Sequence, residues 1–143
     1  MHYLILWKSV LIRVICGYVI LNKSRKMHPN NIPFHTTDWS KIPATEHKGE
    51  TGMAYWRTLQ FGDLRVRMVE YSPNYKADHW CQKGHLLFVI EGEMTTELAD
   101  GPLFTMKTGV SYQVSDDLSS HRSFTESGAK LIIIDGAFLA LKD

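Results

Sequence analysis

The chain has 143 residues, 44% hydrophobic and 22% charged, with a formal net charge of +1; this is the balance of one ordinary folded domain, not of a disordered polymer. The charge is uneven: residues 1–26 carry Lys8, Arg13, Lys23, Arg25 and Lys26 and no acid, which leaves 11 basic residues against 15 acids, a net −4, in the rest. An acidic domain lacks the clustered positive surface that phosphate backbones demand, which excludes nucleic acid as a partner and points to small molecules.

The first predicted unit, residues 1–26, is apolar and basic. Tyr3 to Leu21 has the hydrophobicity of an anchor, but Lys8 and Arg13 interrupt it, and each costs about 2.5–3.5 kcal/mol near a bilayer centre. The longest clean run, Val14 to Leu21, is too short to span. No small-residue cleavage pattern precedes the domain, since the flank reads Asn22-Lys-Ser-Arg-Lys-Met27, which argues against a secretory signal. The segment reads as an extension upstream of a second start at Met27. The alternative is a membrane tether through residues 3–21, in which case the basic cluster from Lys23 to Lys26 keeps the domain on the cytoplasmic side. The two cysteines, Cys16 and Cys81, do not make a disulfide framework, and a reducing, cytoplasmic setting is expected.

Residues 27–143 are predicted as a single all-β domain. Asn30 to Gly52, with Pro33 and Pro43, reads as a loop-rich lead-in covering a sheet edge or a barrel mouth. Runs rich in β-branched and aromatic residues then follow: Met53–Phe61, Leu64–Tyr71, His85–Ile90, Met94–Leu98, Leu103–Met106, Tyr112–Val114, His121–Thr125 and Lys130–Asp135. Turn signals at Gly62-Asp63, Pro73-Asn74, Gly92, Gly101-Pro102 and Gly128 divide them at the spacing of a sandwich or barrel.

The chemistry is concentrated in Asp78-His-Trp-Cys-Gln-Lys-Gly-His85. On an extended chain His79 and Cys81, one residue apart, leave the same face, a geometry for two ligands on one ion. His85 follows past the Gln82-Lys83-Gly84 bend, and a turn at Gly92 closes the apolar run after it. Cys81 with His79 or His85 would also serve as a thiol nucleophile with its base, a weaker reading. Asp78 is placed to fix a histidine tautomer or simply to make a turn. Trp80, pointing the other way, is expected to pack. Arg65 and Arg67 share a strand face and would clamp an anionic substrate, as would Tyr55, Arg57 and Tyr112, although an exposed charged face explains the arginines more simply.

The spacing of His79, Cys81, His85 and Gly92 resembles the first motif of the cupin superfamily, in which two histidines flank one residue and a glutamate and a glycine follow. Cys81 stands where that family has its second histidine, and His85 where it has glutamate. The two changes compensate, since a thiolate replaces the lost carboxylate charge and makes the ligand set softer. A looser likeness to the second motif runs from Thr108-Gly109 to His121. The subgroup it is most similar to is the small cupins labelled by an Asp-His-Cys-Trp motif, here in the order Asp78-His79-Trp80-Cys81.

The resemblance implies a cupin-type double-stranded β-helix, or jelly-roll barrel, with His79, Cys81, His85 and His121 as ligands of a divalent transition metal: Zn, Fe, Mn or Ni. Four protein ligands would close a zinc site, whereas Fe(II), Mn(II) or Ni(II) would keep positions open; in a third arrangement His79, His85 and His121 bind the ion and Cys81 lies beside it as a redox-sensitive or modulatory residue. The function implied is a metal-dependent enzyme of oxygenase, isomerase or lyase type on a small polar metabolite, with a non-catalytic binding or sensor cupin as the alternative. A homodimer is expected by family analogy.

Overall fold

The computed structural model describes residues 31–141, together with the backbone of two short N-terminal strands, β1 (Leu11–Ile15) and β2 (Tyr18–Asn22), which pair antiparallel with each other. The extension or tether expected at residues 1–26 is otherwise outside the described residues, as is the start at Met27. Among the described residues no helix is long and apolar enough to cross a membrane.

The domain proper is built from β3 (Thr45–Lys48), β4 (Met53–Phe61), β5 (Leu64–Tyr71), β6 (Tyr75–Lys76), β7 (His85–Leu98), β8 (Leu103–Lys107), β9 (Ser111–Val114), β10 (His121–Thr125) and β11 (Ala129–Asp135). The expected strands β4, β5 and β10 have the predicted bounds. The lead-in forms a strand of its own, β3, which pairs antiparallel with β4 at the sheet edge.

The two runs expected as separate strands, His85–Ile90 and Met94–Leu98, are one bent strand, β7. Its first half pairs with β11 and β9, extending the sheet β3-β4-β5-β11. Its second half pairs with β10 and β8, and β10 in turn with β6. Lys130 faces Glu91 and Leu131 faces Val89, so Ile90 is an extra residue on β7, and such a bulge shifts the inward phase by one position. The buried residues change accordingly from His85, Leu87 and Val89 to Met94 and Thr96. Gly92 completes the bend with φ +81, where a Cβ would strike the Gly128 carbonyl.

The two sheets close on an apolar interior of Val69, Leu87, Val89, Met94, Met106, Ala129, Leu131 and Ile133, with Trp56, Tyr71 and Tyr112 packed against it. Fully burying one of these large side chains contributes about 1.5–3 kcal/mol, so the barrel is held by its core. Two residues nearer one end of the barrel the inner face turns polar: Val69 gives way to Arg67 on β5, Leu87 to His85 on β7, and Ile133 to Asp135 on the antiparallel β11, all three buried. The site lies at this end.

Candidate functional site

β7 delivers His85 through a bend that is anchored from outside. Asp116 accepts from the Gly84 backbone N–H at 2.6 Å and from Lys83 Nζ at 2.7 Å, and Asp117 N donates to the Gln82 carbonyl at 2.9 Å. Gly84 is required by this approach, because a Cβ there would lie 2.6 Å from Asp116 N and 2.7 Å from the Val114 carbonyl oxygen. Cys81 arrives on a neighbouring segment and exchanges both backbone hydrogen bonds with His121 of β10, at 2.7 and 3.0 Å. Residues so paired project their side chains from the same face.

The donor atoms of Cys81, His85 and His121 consequently lie within 4.8 Å of one another. Cys81 Sγ is 3.3 Å from His85 Nε2, and the two imidazoles meet edge to face with centroids 5.4 Å apart. His121 Nδ1 donates to the Ser119 carbonyl at 2.8 Å, since a carbonyl can only accept. That bond leaves Nε2 as the lone-pair nitrogen, and it is buried without a partner. His85 Nδ1 faces Asp135 Oδ2 at 3.5 Å, long for a hydrogen bond, which favours the proton on Nδ1 and the lone pair on Nε2. A thiol and two imidazole lone pairs aimed together are a donor set that can hold a transition metal ion.

His79 lies apart from this cluster. On β10, Ser123 and His121 are two residues apart, but their partners Ala77 and Cys81 are four apart, so the chain bends at Asp78 and His79. The extended geometry expected to align His79 with Cys81 is absent. His79 stands instead at the cavity wall, its side chain 71% exposed and its Nδ1 2.6 Å from Asp78 Oδ1. Trp80 is partly exposed, with the Arg122 guanidinium 4.4 Å above its ring.

Asp135 organises the inner side. Arg65 grips it with two bonds, Nε to Oδ1 at 2.9 Å and Nη2 to Oδ2 at 3.1 Å, and Arg67 Nη2 donates to the same Oδ2. The arginines therefore face the interior, not an exposed charged face; Arg67 is only 4% exposed. Arg57 and Tyr55 alternate with the inward residues of β4, and Arg57 pairs with Glu70 on the outer side. Burial would raise the Asp135 carboxyl, but the His85 contact and the two guanidinium groups outweigh it and hold the carboxyl well below the usual range. Burial likewise pushes the Cys81 thiol up, and His85, its hydrogen bond ahead of its charge, overcomes this so that the thiol titrates below its ordinary value. For His85, burial disfavours the proton while Asp135 and Cys81 favour it more, raising the imidazole.

The cluster opens into a cavity of about 200 Å³ lined by Trp56, Arg67, Tyr71, Cys81, His85 and His121 among others. Tyr112, edge-on to His121 with centroids 5.6 Å apart, closes one wall. Asp135 and Trp56 are the residues that motif reading passed over. Asp135 was signalled by its position two residues past Ile133, an acid ending an apolar strand on its inward phase.

No family model and no curated protein matches the chain. Solved structures do. Ectoine synthase from P. lautus aligns at 14% identity over 76% of this chain and 80% of its own, with a TM-score of 0.60. An RmlC-like cupin from Shewanella frigidimarina aligns at 18% over 73% and 91%, TM-score 0.57. A sugar phosphate isomerase of the cupin superfamily from Silicibacter pomeroyi aligns at 15% over 71% and 75%, TM-score 0.56. The bent β7 shared by two curled antiparallel sheets is thus the jelly-roll barrel of a small cupin fold.

Proposed function

We propose that the protein is a metal-dependent enzyme acting on a small polar metabolite, with Cys81, His85 and His121 as the protein ligands of the ion. The observation that supports this reading above the others is the His121 Nε2 atom, buried, unpartnered and beside a thiol and a second imidazole in a solvent-connected cavity. An orphaned buried acceptor costs about 1–3 kcal/mol, and a ligated ion offsets that cost.

Three protein donors suit catalysis better than four. With His79 bent away, Cys81, His85 and His121 would leave at least one position for water or substrate even on a four-coordinate ion such as Zn(II). The thiolate makes the set soft, which favours Zn(II) or Fe(II) over Mn(II). A bound divalent ion supplies Lewis-acid polarisation of a substrate oxygen. The chain's own residues do the rest. Asp135 keeps the His85 proton on Nδ1, the Ser119 carbonyl orients His121, and His85 favours the Cys81 thiolate. Leu87, Ile133 and Trp56 line the cavity and limit the water that reaches its inner wall. Proteins named as ectoine synthase and as a sugar phosphate isomerase use this fold for catalysis, and that likeness bears on the fold alone.

The test is calorimetric titration of Zn(II), and anaerobically of Fe(II), into chelator-treated full-length protein and its His85→Ala and His121→Ala variants. A mass-spectrometric screen for metal-dependent consumption of metabolites follows. One equivalent bound, lost in both variants, with turnover that follows the metal, is the expected result. Absence of binding, or binding unchanged in His121→Ala, rejects the site; binding without any turnover assigns the protein to the non-catalytic binding or sensor class.

A further inference from the structure

The cavity beside the cluster carries an imbalance of donors and charge that the metal reading does not use. Its lining includes Arg65, Arg67, Lys83 and Arg122 and no carboxylate. Lys83 and Arg122 are answered from outside the cavity by Asp116 and Glu97, each at 2.7 Å. Arg65 and Arg67 share the single carboxylate of Asp135, so the trio carries one net positive charge, which the Cys81 thiol on the same lining answers only when it is deprotonated and not committed to a metal ion. The Arg67 guanidinium also lies over the Trp56 ring, 4.6 Å from its centroid. Arg67 Nε and Trp56 Nε1 are both buried, both in residues lining the cavity, and neither has an acceptor. Indole and guanidinium nitrogens are donors only, so nothing but an acceptor satisfies them.

We infer that this wall is the anion subsite of the cavity, where Arg67 Nε and Trp56 Nε1 bind a carboxylate or phosphate group of the substrate. The inference rests on reading the cavity as the substrate site, and it names the substrate class: a small organic acid or phosphate ester. A water molecule or a neutral carbonyl would satisfy the two donors but not the residual charge, whereas an anion answers both. Charge-assisted hydrogen bonds to a guanidinium are about twice as strong as neutral ones, and the buried setting strengthens them further.

The experiment is calorimetric titration of inorganic phosphate and of acetate into full-length protein, before and after chelator treatment, with a thermal melt of each variant to verify folding. Saturable binding of at least one probe is expected in both states, weakened about 10–100-fold in Arg67→Met, in line with the loss of a charged hydrogen bond. Trp56→Phe keeps the ring and removes only the N–H, so it should weaken binding severalfold even if Arg67→Met fails to fold. Arg57→Met, on the outer face, should bind as the wild type does. No binding of either probe, or equal affinity in folded Arg67→Met or Trp56→Phe, overturns the inference. Binding that requires metal and ignores Arg67 and Trp56 also overturns it while leaving the metal site standing. Binding that depends on Arg67 in a protein that takes up no metal upholds the subsite and rejects the metal reading.

Discussion

Neutralising Asp135 by Asp135→Asn tests the account of the inner wall without changing its shape. The carboxylate and the Arg67 guanidinium are each 4% exposed, whereas Arg65 is 35% exposed. Removing one charge of a buried pair leaves the other uncompensated, at a cost of about 3–5 kcal/mol. The half-exposed Arg65 bond adds no more than about 1 kcal/mol after solvent screening. The amide retains one acceptor oxygen, but its NH2 then meets Arg65, Arg67 or the His85 Nδ1 proton, a donor against donors. Urea unfolding should therefore show a loss of about 3–5 kcal/mol with an unchanged slope. The effect has a pH signature. The folded carboxyl titrates below the unfolded value of 3.8, so its contribution is fully present above that value and is lost as pH falls through the folded one. Wild type and variant should converge in stability under acid. A second variant, Arg67→Met with Asp135→Leu, replaces the pair by apolar groups and should recover most of the loss. An Asp135→Asn protein within about 0.5 kcal/mol of wild type, the range of ordinary surface changes, would refute the reasoning.

Further outcomes follow from the same geometry. His79→Ala should keep metal affinity within about tenfold of wild type, whereas His85→Ala and His121→Ala should lose more than the 10–100-fold typical of a supporting residue, as read by competition with a chromophoric chelator. Gly84→Ala drives a methyl into the Asp116 and Val114 backbone and should cost about 1–3 kcal/mol in urea unfolding, as overpacking does, together with weaker metal uptake because His85 is the next residue. Asp116 is held below its ordinary value by the Lys83 hydrogen bond and then by the Gly84 N–H, so the anchoring of the bend persists above pH 3.8 and fades as pH falls; Asp116→Asn should flatten that acid limb in thermal melts. Alkylation of Cys81 by iodoacetamide should be fast in chelator-treated protein, where His85 favours the thiolate, and slowed by bound Zn(II).

Much of the barrel was legible because its strands alternate apolar and polar residues between strong turn signals. β4, β5 and β10 could be bounded from those signals alone. Continuity of β7 could not, because Gly92 resembles a turn in sequence and becomes a bulged bend only when β11 supplies Lys130 and Leu131 on either side of the extra residue. The same limit applied at the site. His85 and Cys81 were singled out by spacing, and His121 by a loose second motif, and the fold brings these three together, but placing His79 on the face of Cys81 assumed an extended backbone. The bend at Asp78 and His79 depends on the mismatch in length between this segment and β10, which no local pattern encodes. Arg65 and Arg67 were recognised as a same-face pair; their inward direction depended on Asp135, some 70 residues away in sequence, through the pairing of β5 with β11.

X-ray absorption spectroscopy at the metal edge of Zn(II)-loaded full-length protein addresses the central claim most directly. A single sulfur scatterer with imidazole nitrogens and at least one further light-atom ligand is predicted, the sulfur disappearing in Cys81→Ser and one imidazole in His121→Ala. A shell of light atoms without sulfur, or one unchanged by either substitution, would contradict a site built from Cys81, His85 and His121.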